Sequence, residues 1–177
     1  LLHSARCIRL EHNFSPDAIS LYIHDFVKHI QADSTNIKML LLGGKNAEEA
    51  ELFLFPVAPF FPKKEWYRDG VTVFPYTYER WMPQVKSLNM LPSFFYYADS
   101  QRKGGYDSLF IDTKGNVREG SRTNFYGIKG KKITSPPKSD ILEGVTMMTL
   151  EKVIGNTDFS MHFETIAFKS LEEFDSV

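Results

Sequence analysis

The stretch Y-D-S-L-F-I-D-T-K-G-N-V-R-E-G-S-R-T-N-F-Y, Tyr106 to Tyr126, decides the fold. D-S-L-F-I-D reads as a strand, T-K-G-N places a glycine where a tight turn needs one, and V-R-E-G returns as a second strand, so the spacing predicts a hairpin. F-Y-G-I, K-G-K-K and I-T-S repeat the pattern, and Pro136-Pro137 ends it. Working downstream, I-L-E-G-V-T-M-M-T-L-E-K-V-I predicts a helix opening near Gly144, M-H-F-E-T-I one more strand, and S-L-E-E-F the start of a last helix. Working upstream, Leu91 to Arg102 predicts a helix whose aromatics pack a core rather than stack on a ligand. V-T-V-F-P-Y-T, E-L-F-L-F-P-V-A-P-F and I-K-M-L-L-L, the last ending in Gly43-Gly44, read as three earlier strands. Ser15-Pro16-Asp17 is a helix start, followed at helical spacing by Ile19, Ile23, Phe26, Val27 and Ile30, with His24, Lys28 and His29 on solvated faces. N-A-E-E-A-E reads as a charged surface loop, and F-F-P-K-K-E-W-Y-R-D-G as the linker candidate of the first half.

Bulk properties bound the answer loosely. The 177 residues suit one domain or two small ones, and 42% hydrophobic with 14% aromatic content marks a globular chain. A formal net charge of −1 gives no electrostatic reason to expect nucleic acid or an anionic membrane as partner. The single cysteine, Cys7, excludes an intrachain disulfide framework, fits a reducing, cytoplasmic setting, and reads as a small buried hydrophobe rather than a catalytic thiol. No apolar run is long enough to cross a bilayer, and no basic-then-apolar leader stands before the first residues. The chain opens on Leu1 without a methionine and stops at L-E-E-F-D-S-V, which reads as incomplete at both ends.

Three segments carry chemistry. The five histidines are scattered and there is no cysteine pair, so no metal site is expected; the serine-elbow, phosphate-loop and dinucleotide-fold signatures are missing too. What remains is Lys86 at the front of a long apolar run, the polar cluster E-G-S-R-T-N at Glu119 to Asn124, and L-E-G-V-T at Leu142 to Thr146. A lysine beside apolar surface loses hydration, so its neutral amine, able to form a Schiff base with an aldehyde, is easier to reach. A carboxylate at a strand end, such as Glu119, can hold a pyridine nitrogen protonated. Gly144-Val145-Thr146 at a helix start offers free N–H groups to a phosphate. Aldehyde, pyridine and phosphate together describe pyridoxal 5′-phosphate. Taken singly, each motif has a plainer reading: a snorkelling lysine, an ion pair of Glu119 with Arg118 or Arg122, and an ordinary helix-start glycine.

In their order, K-S-L-N-M-L-P, then G-Y-D-S-L-F-I-D-T-K-G-N-V-R-E-G-S-R-T-N-F-Y, then I-T-S-P-P and I-L-E-G-V-T resemble the class IV pyridoxal-phosphate enzymes of fold type IV. That family holds branched-chain and D-amino acid aminotransferases and aminodeoxychorismate lyases. The resemblance is strongest from Val85 to about Val153, and E-G-S-R-T-N-F is its most specific part; L-L-H-S-A-R-C-I-R-L-E-H-N-F-S-P-D-A-I is similar to the N-terminal-domain helices more weakly. It implies that Lys86 is the catalytic, Schiff-base lysine and moves the α-proton, and that Glu119 pairs with the pyridine nitrogen. It implies that Ser121, Arg122, Thr123 and Asn124 line the cofactor, Thr123 and Asn124 most closely, and that Val145 and Thr146 take the phosphate. It also implies amino acid and keto acid substrates and a homodimer.

Departures qualify the resemblance. Met147 stands where members often carry arginine, and Met90 where branched-chain enzymes tend to carry tyrosine, so K-S-L-N-x-L lies closer to the D-amino acid aminotransferase and lyase branches. The phosphate-gripping arginine of the family's H-x-x-R-L segment and a later Ser/Thr turn fall outside the chain, so weak cofactor binding is expected. The fold expected is α/β of the α+β type: a partial N-terminal α+β domain (1–76), a linker (77–85) and a C-terminal cofactor domain (86–177) of antiparallel strands with helices. The function expected is transamination of amino acids, with aminodeoxychorismate lyase, or a non-catalytic relative with the same fold, as the alternatives.

Overall fold

A computed structural model describes residues 1–31 and 34–177. The chain divides into two compact units, Leu1–Arg68 and Asp69–Val177. The division falls upstream of the segment 77–85 expected as a linker, because the strand before that segment is already paired within the second unit.

In the first unit, α1 (Leu2–Cys7) and α2 (Pro16–Ile30) precede an antiparallel pair, β1 (Asn36–Leu42) and β2 (Glu51–Val57). Ser15 caps α2, its Oγ accepting from Ala18 N at 3.1 Å, an arrangement worth about 1 kcal/mol. Ile19 is buried and Ile23, Phe26 and Ile30 are half-buried, whereas Val27 faces water. Ala5, Leu41 and Ala50 form a small core with Leu10, Phe14 and Leu52 packed on it. Cys7 is exposed rather than buried: α1 buries only Ser4 and Ala5, and the thiol lies 3.5 Å from His3 Nε2 one turn earlier. The proline-rich stretch after β2 contains α3 (Lys64–Asp69).

The second unit carries two three-stranded sheets, ordered β3-β4-β5 and β6-β7-β8. The first joins β3 (Val73–Thr77) to β4 (Asp107–Ile111) in parallel, across α4 (Leu91–Arg102), and β4 to β5 (Val117–Gly120) as the expected hairpin. The second joins β6 (Gly127–Lys129) and β7 (Lys132–Ser135) as the other hairpin, and β7 to β8 (Ser160–Phe163) in parallel, across α5 (Val145–Ile154). The antiparallel expectation therefore holds for the hairpins, where a short turn reverses the chain. It fails for the strands joined across a helix, which return in the same direction. The last helix is a 3-10 segment, Phe168–Glu173.

The β4–β5 turn is set by Asp112, whose carboxylate accepts from the N–H groups of Lys114 and Asn116 and from Asn116 Nδ2, with Gly115 at φ +82°. Leu109, Ile111, Val117, Phe125 and Ile166 make the core behind it. On the other side, Tyr78 and Tyr96 meet the buried Phe110 edge-on, at 4.9 and 6.0 Å between ring centres, which packs α4 onto β4. Of the α4 aromatics, Tyr96 thus serves the core as expected, but Phe94 and Phe95 face water.

Candidate functional site

The three segments singled out by sequence are joined by hydrogen bonds. Glu119 is the last residue but one of β5, buried at 6% exposure, and each of its oxygens is engaged. Oε1 accepts from Arg80 Nε at 2.7 Å, and Oε2 accepts from the Leu142 N–H at 3.0 Å. Asn124 grips the same residue from its other side, Nδ2 donating to the Leu142 carbonyl at 2.8 Å. Leu142 is therefore clamped through both backbone groups by the ends of E-G-S-R-T-N, which holds the start of α5 against β5. Gly144 has an ordinary φ of −72°, so no turn demands glycine there. The demand is for space: a Cβ at 144 would stand 2.9 Å from Asn124 Oδ1.

Arg80 extends the network to the lysine. Its guanidinium, largely withdrawn from solvent at 17% side-chain exposure, also donates to the carbonyls of Pro83 and Val85. Val85 is buried, so the turn that delivers Lys86 is fixed both by packing and by Arg80. Lys86 keeps much of its surface accessible, yet the protein around its amine pushes the pKa below the ordinary lysine value. The Arg80 cation adds to that lowering, and the Glu119 carboxylate opposes it. The expected partners of Glu119 are thus corrected: Arg118 binds Asp112 at 2.9 Å together with Asp140 and Glu79, and Arg122 lies 4.0 Å above the Tyr97 ring.

Val145 and Thr146 open α5, both exposed. No side chain caps the helix, no acid sits in its first turn, and the first intrahelical bond runs from Met148 N to the Gly144 carbonyl. The N–H groups ahead of Met148 are thus available donors at the positive end of the dipole. Thr123 differs from its neighbour Asn124: its hydroxyl turns to Asp107 Oδ2 at 3.2 Å. Asp107 also accepts from the Ser121 hydroxyl and, at 2.8 Å, from the Ser108 N–H.

Sequence reasoning passed over Arg80, Asp107 and Leu142. Nothing in Y-E-R-W-M-P marks Arg80. Asp107 did leave a signal, because an acid inside D-S-L-F-I, buried along its whole length, must find donors. A cavity of about 250 Å³ borders the Arg80–Glu119 pair and is lined also by Tyr78, Pro83 and Phe110. Lys86 is not in its wall, so the cavity is not where lysine chemistry is placed.

The donor and acceptor set suits pyridoxal phosphate. A carboxylate offers about four lone pairs, of which Arg80 and Leu142 use two, so Glu119 retains acceptor capacity for a pyridine N–H. Lys86 supplies an amine with a lowered pKa, and α5 supplies uncapped N–H groups for a phosphate.

The chain is similar to known proteins over most of its length. A probable branched-chain-amino-acid aminotransferase of Aquifex aeolicus (strain VF5) is 25% identical over 175 residues, 82% of this chain and 51% of the relative. The chain thus spans about half the length of that curated relative. Among solved structures, a putative 4-amino-4-deoxychorismate lyase from Legionella pneumophila superposes with a TM-score of 0.85 at 20% identity, covering 98% of this chain and 67% of that one. The branched-chain aminotransferase of Thermoproteus uzoniensis with norvaline gives 0.83 at 20%, over 99% and 63%. The branched-chain amino acid aminotransferase from Escherichia coli gives 0.81 at 18%, over 98% and 61%. The fold is that of the fold type IV aminotransferases, and the amino-transferase class IV model matches residues 1–177 from end to end: the chain belongs to the class IV aminotransferase family.

Proposed function

We propose that the chain carries the reaction centre of a pyridoxal-phosphate-dependent aminotransferase that moves an amino group between an amino acid and a keto acid. The supporting observation is the single network through Arg80, Glu119, Leu142 and Asn124 that ties the Lys86 turn, the β5 end and the α5 start together. In this reading Lys86 bonds the cofactor, Glu119 meets its ring nitrogen, Thr123 and Asn124 line it, and the N–H groups of Val145 and Thr146 with the Thr146 hydroxyl take its phosphate. The bound cofactor supplies an electron sink that acidifies the Cα–H of the amino acid. The chain supplies the proton handling. The Lys86 amine, easier to deprotonate than an ordinary lysine, takes the proton from Cα and returns it to the carbon being reprotonated. Glu119 is held in place as an acceptor by Arg80 Nε on one oxygen and the Leu142 N–H on the other.

The lyase forming 4-aminobenzoate from aminodeoxychorismate is the second reading, favoured by the Legionella neighbour and by K-S-L-N-M-L. Homodimerisation in a reducing, cytoplasmic setting completes the proposal. The exposed Phe53, Phe55, Phe60 and Phe61 support a self-contact, and the exposed Cys7 thiol suits such a compartment. The test is spectroscopic and then kinetic. Added pyridoxal phosphate should give an absorbance band near the visible edge that borohydride abolishes and Lys86→Ala never shows. Amino transfer to a keto acid supports the first enzyme, and pyruvate release from aminodeoxychorismate the second. A chain with no band and neither activity would be a non-catalytic relative.

A further inference from the structure

Arg122 stands apart among the arginines of the second unit. Arg80 is committed to Glu119, Arg102 to Asp99, and Arg118 to Asp112, Glu79 and Asp140. Arg122 instead has its guanidinium carbon 4.0 Å from the centre of the Tyr97 ring, within cation–π distance of an aromatic face. It is exposed, on the short turn whose two ends, Glu119 and Asn124, belong to the network that clamps α5.

Its direction is imposed by its neighbours. Asp107, 2% exposed, accepts from the hydroxyls of both Ser121 and Thr123. The Gly120 N–H donates to the Thr123 carbonyl at 2.8 Å, and the Ser121 N–H to the Ser108 carbonyl at 3.2 Å, so the turn's backbone is closed as well. With residues 121 and 123 both turned to one buried acid, the side chain of 122 is left to project away from that acid, onto α4, where Tyr97 receives it. A cation–π contact uses none of the guanidinium's N–H groups as hydrogen-bond donors, and among the described residues no ion pair or side-chain hydrogen bond occupies them, which leaves them for an acceptor. A planar fork with fixed orientation matches a carboxylate through two parallel hydrogen bonds, which a mobile lysine ammonium does not.

We propose that Arg122 is a specificity-determining residue that binds a carboxylate of the amino acid or keto acid substrate, pre-oriented by Asp107 beneath the turn and by Tyr97 on α4. This deepens the aminotransferase reading and rests on it for the identity of the ligand. Because the guanidinium is already held against Tyr97, less conformational freedom is lost on binding, and an amine without a carboxylate would gain nothing from it.

The test uses 2-oxoglutarate as probe, titrated by calorimetry into the whole chain with and without pyridoxal phosphate, and compares wild type with Arg122→Gln, Arg122→Lys and Tyr97→Leu. Arg122→Gln should weaken binding by about ten- to a hundredfold, as expected for losing charged hydrogen bonds. Arg122→Lys should recover only part of it, and Tyr97→Leu should weaken it by a few-fold with the charge intact. In turnover, KM for the carboxylate substrate should rise while KM for an amine lacking any carboxylate, and the cofactor absorbance, stay put. A merely structural Arg122 would instead lower the melting temperature of Arg122→Gln and leave 2-oxoglutarate affinity unchanged, which overturns the proposal. So would an equal rise in KM for the carboxylate-free amine. Absence of any cofactor band in the wild type would sink the aminotransferase reading alone, since the cofactor-free titration still reads Arg122 directly.

Discussion

At the residue scale, the lysine and its two charged neighbours form one electrostatic unit. Protein around the Lys86 amine and the nearby Arg80 cation lower its pKa, while Glu119 raises it. A depressed lysine pKa brings the neutral, nucleophilic form within reach at lower pH than the usual value of about 10.4. Trapping with a small aldehyde and borohydride, followed by peptide mass spectrometry over a pH series, should find Lys86 half-modified at a lower pH than the surface lysines. Arg80→Gln should move that midpoint upward, since it removes a repelling charge; a Lys86 midpoint equal to that of Lys129 or Lys152 would refute the coupling. Glu119→Gln tests the other half. A neutral amide leaves the withdrawn Arg80 guanidinium without its counter-charge, at a cost of about 3 kcal/mol. Under the proposed function it would also no longer hold a ring nitrogen protonated. The expected outcome is a lower melting temperature together with lost turnover, whereas unchanged turnover would reduce Glu119 to an ion-pair partner of Arg80.

At the element scale, the start of α5 is where backbone geometry and site coincide. Gly144→Ala would set a methyl 2.9 Å from Asn124 Oδ1, forcing Asn124 or the Leu142 clamp to shift. Overpacking of this kind costs about 1–3 kcal/mol. Affinity should fall for pyridoxal 5′-phosphate and change little for pyridoxal, which lacks the group that the α5 N–H donors would hold; equal losses for both would separate the helix start from the phosphate. Much of this was legible in the sequence because it is local. The helix Leu91–Arg102, both hairpins and the opening of α5 at Gly144 rest on turn chemistry and periodicity within a dozen or so residues. The features that escaped are long-range. The parallel pairs β3–β4 and β7–β8 leave no mark in either strand alone, and α3 lay inside a proline-flanked stretch that reads as linker. The partner of Glu119 comes from 39 residues upstream, while the neighbouring arginines that sequence offered are engaged elsewhere. Residue types announced the candidate site, but the contact that joins its parts had to be seen in three dimensions.

At the scale of the whole molecule, both units carry large apolar side chains exposed to water. In the first unit Phe60 and Phe61 are exposed, as are Phe53 and Phe55, whose rings stack at 6.2 Å. In the second, Leu91, Phe94 and Phe95 stand on the first turns of α4 at 77%, 67% and 59% exposure, with Trp81, Leu88 and Met90 just upstream in the chain. Covering a large aliphatic or aromatic side chain gains about 1.5–3 kcal/mol, so even partial cover of several such residues outweighs much of the entropy lost on association. The formal net charge of −1 adds almost no repulsion between copies. The expected outcome is a homodimer, seen as twice the 20.4 kDa chain mass by light scattering, with a melting temperature that rises with protein concentration. Phe94→Glu should discriminate burial from solvation. The side chain makes little of the monomer's core, so secondary structure should persist, while a charge placed in an apolar contact should shift the mass toward the monomer. A wild-type mass of one chain across the concentration range, or a Phe94→Glu variant that associates as well as wild type, would show that α4 does not face a second copy.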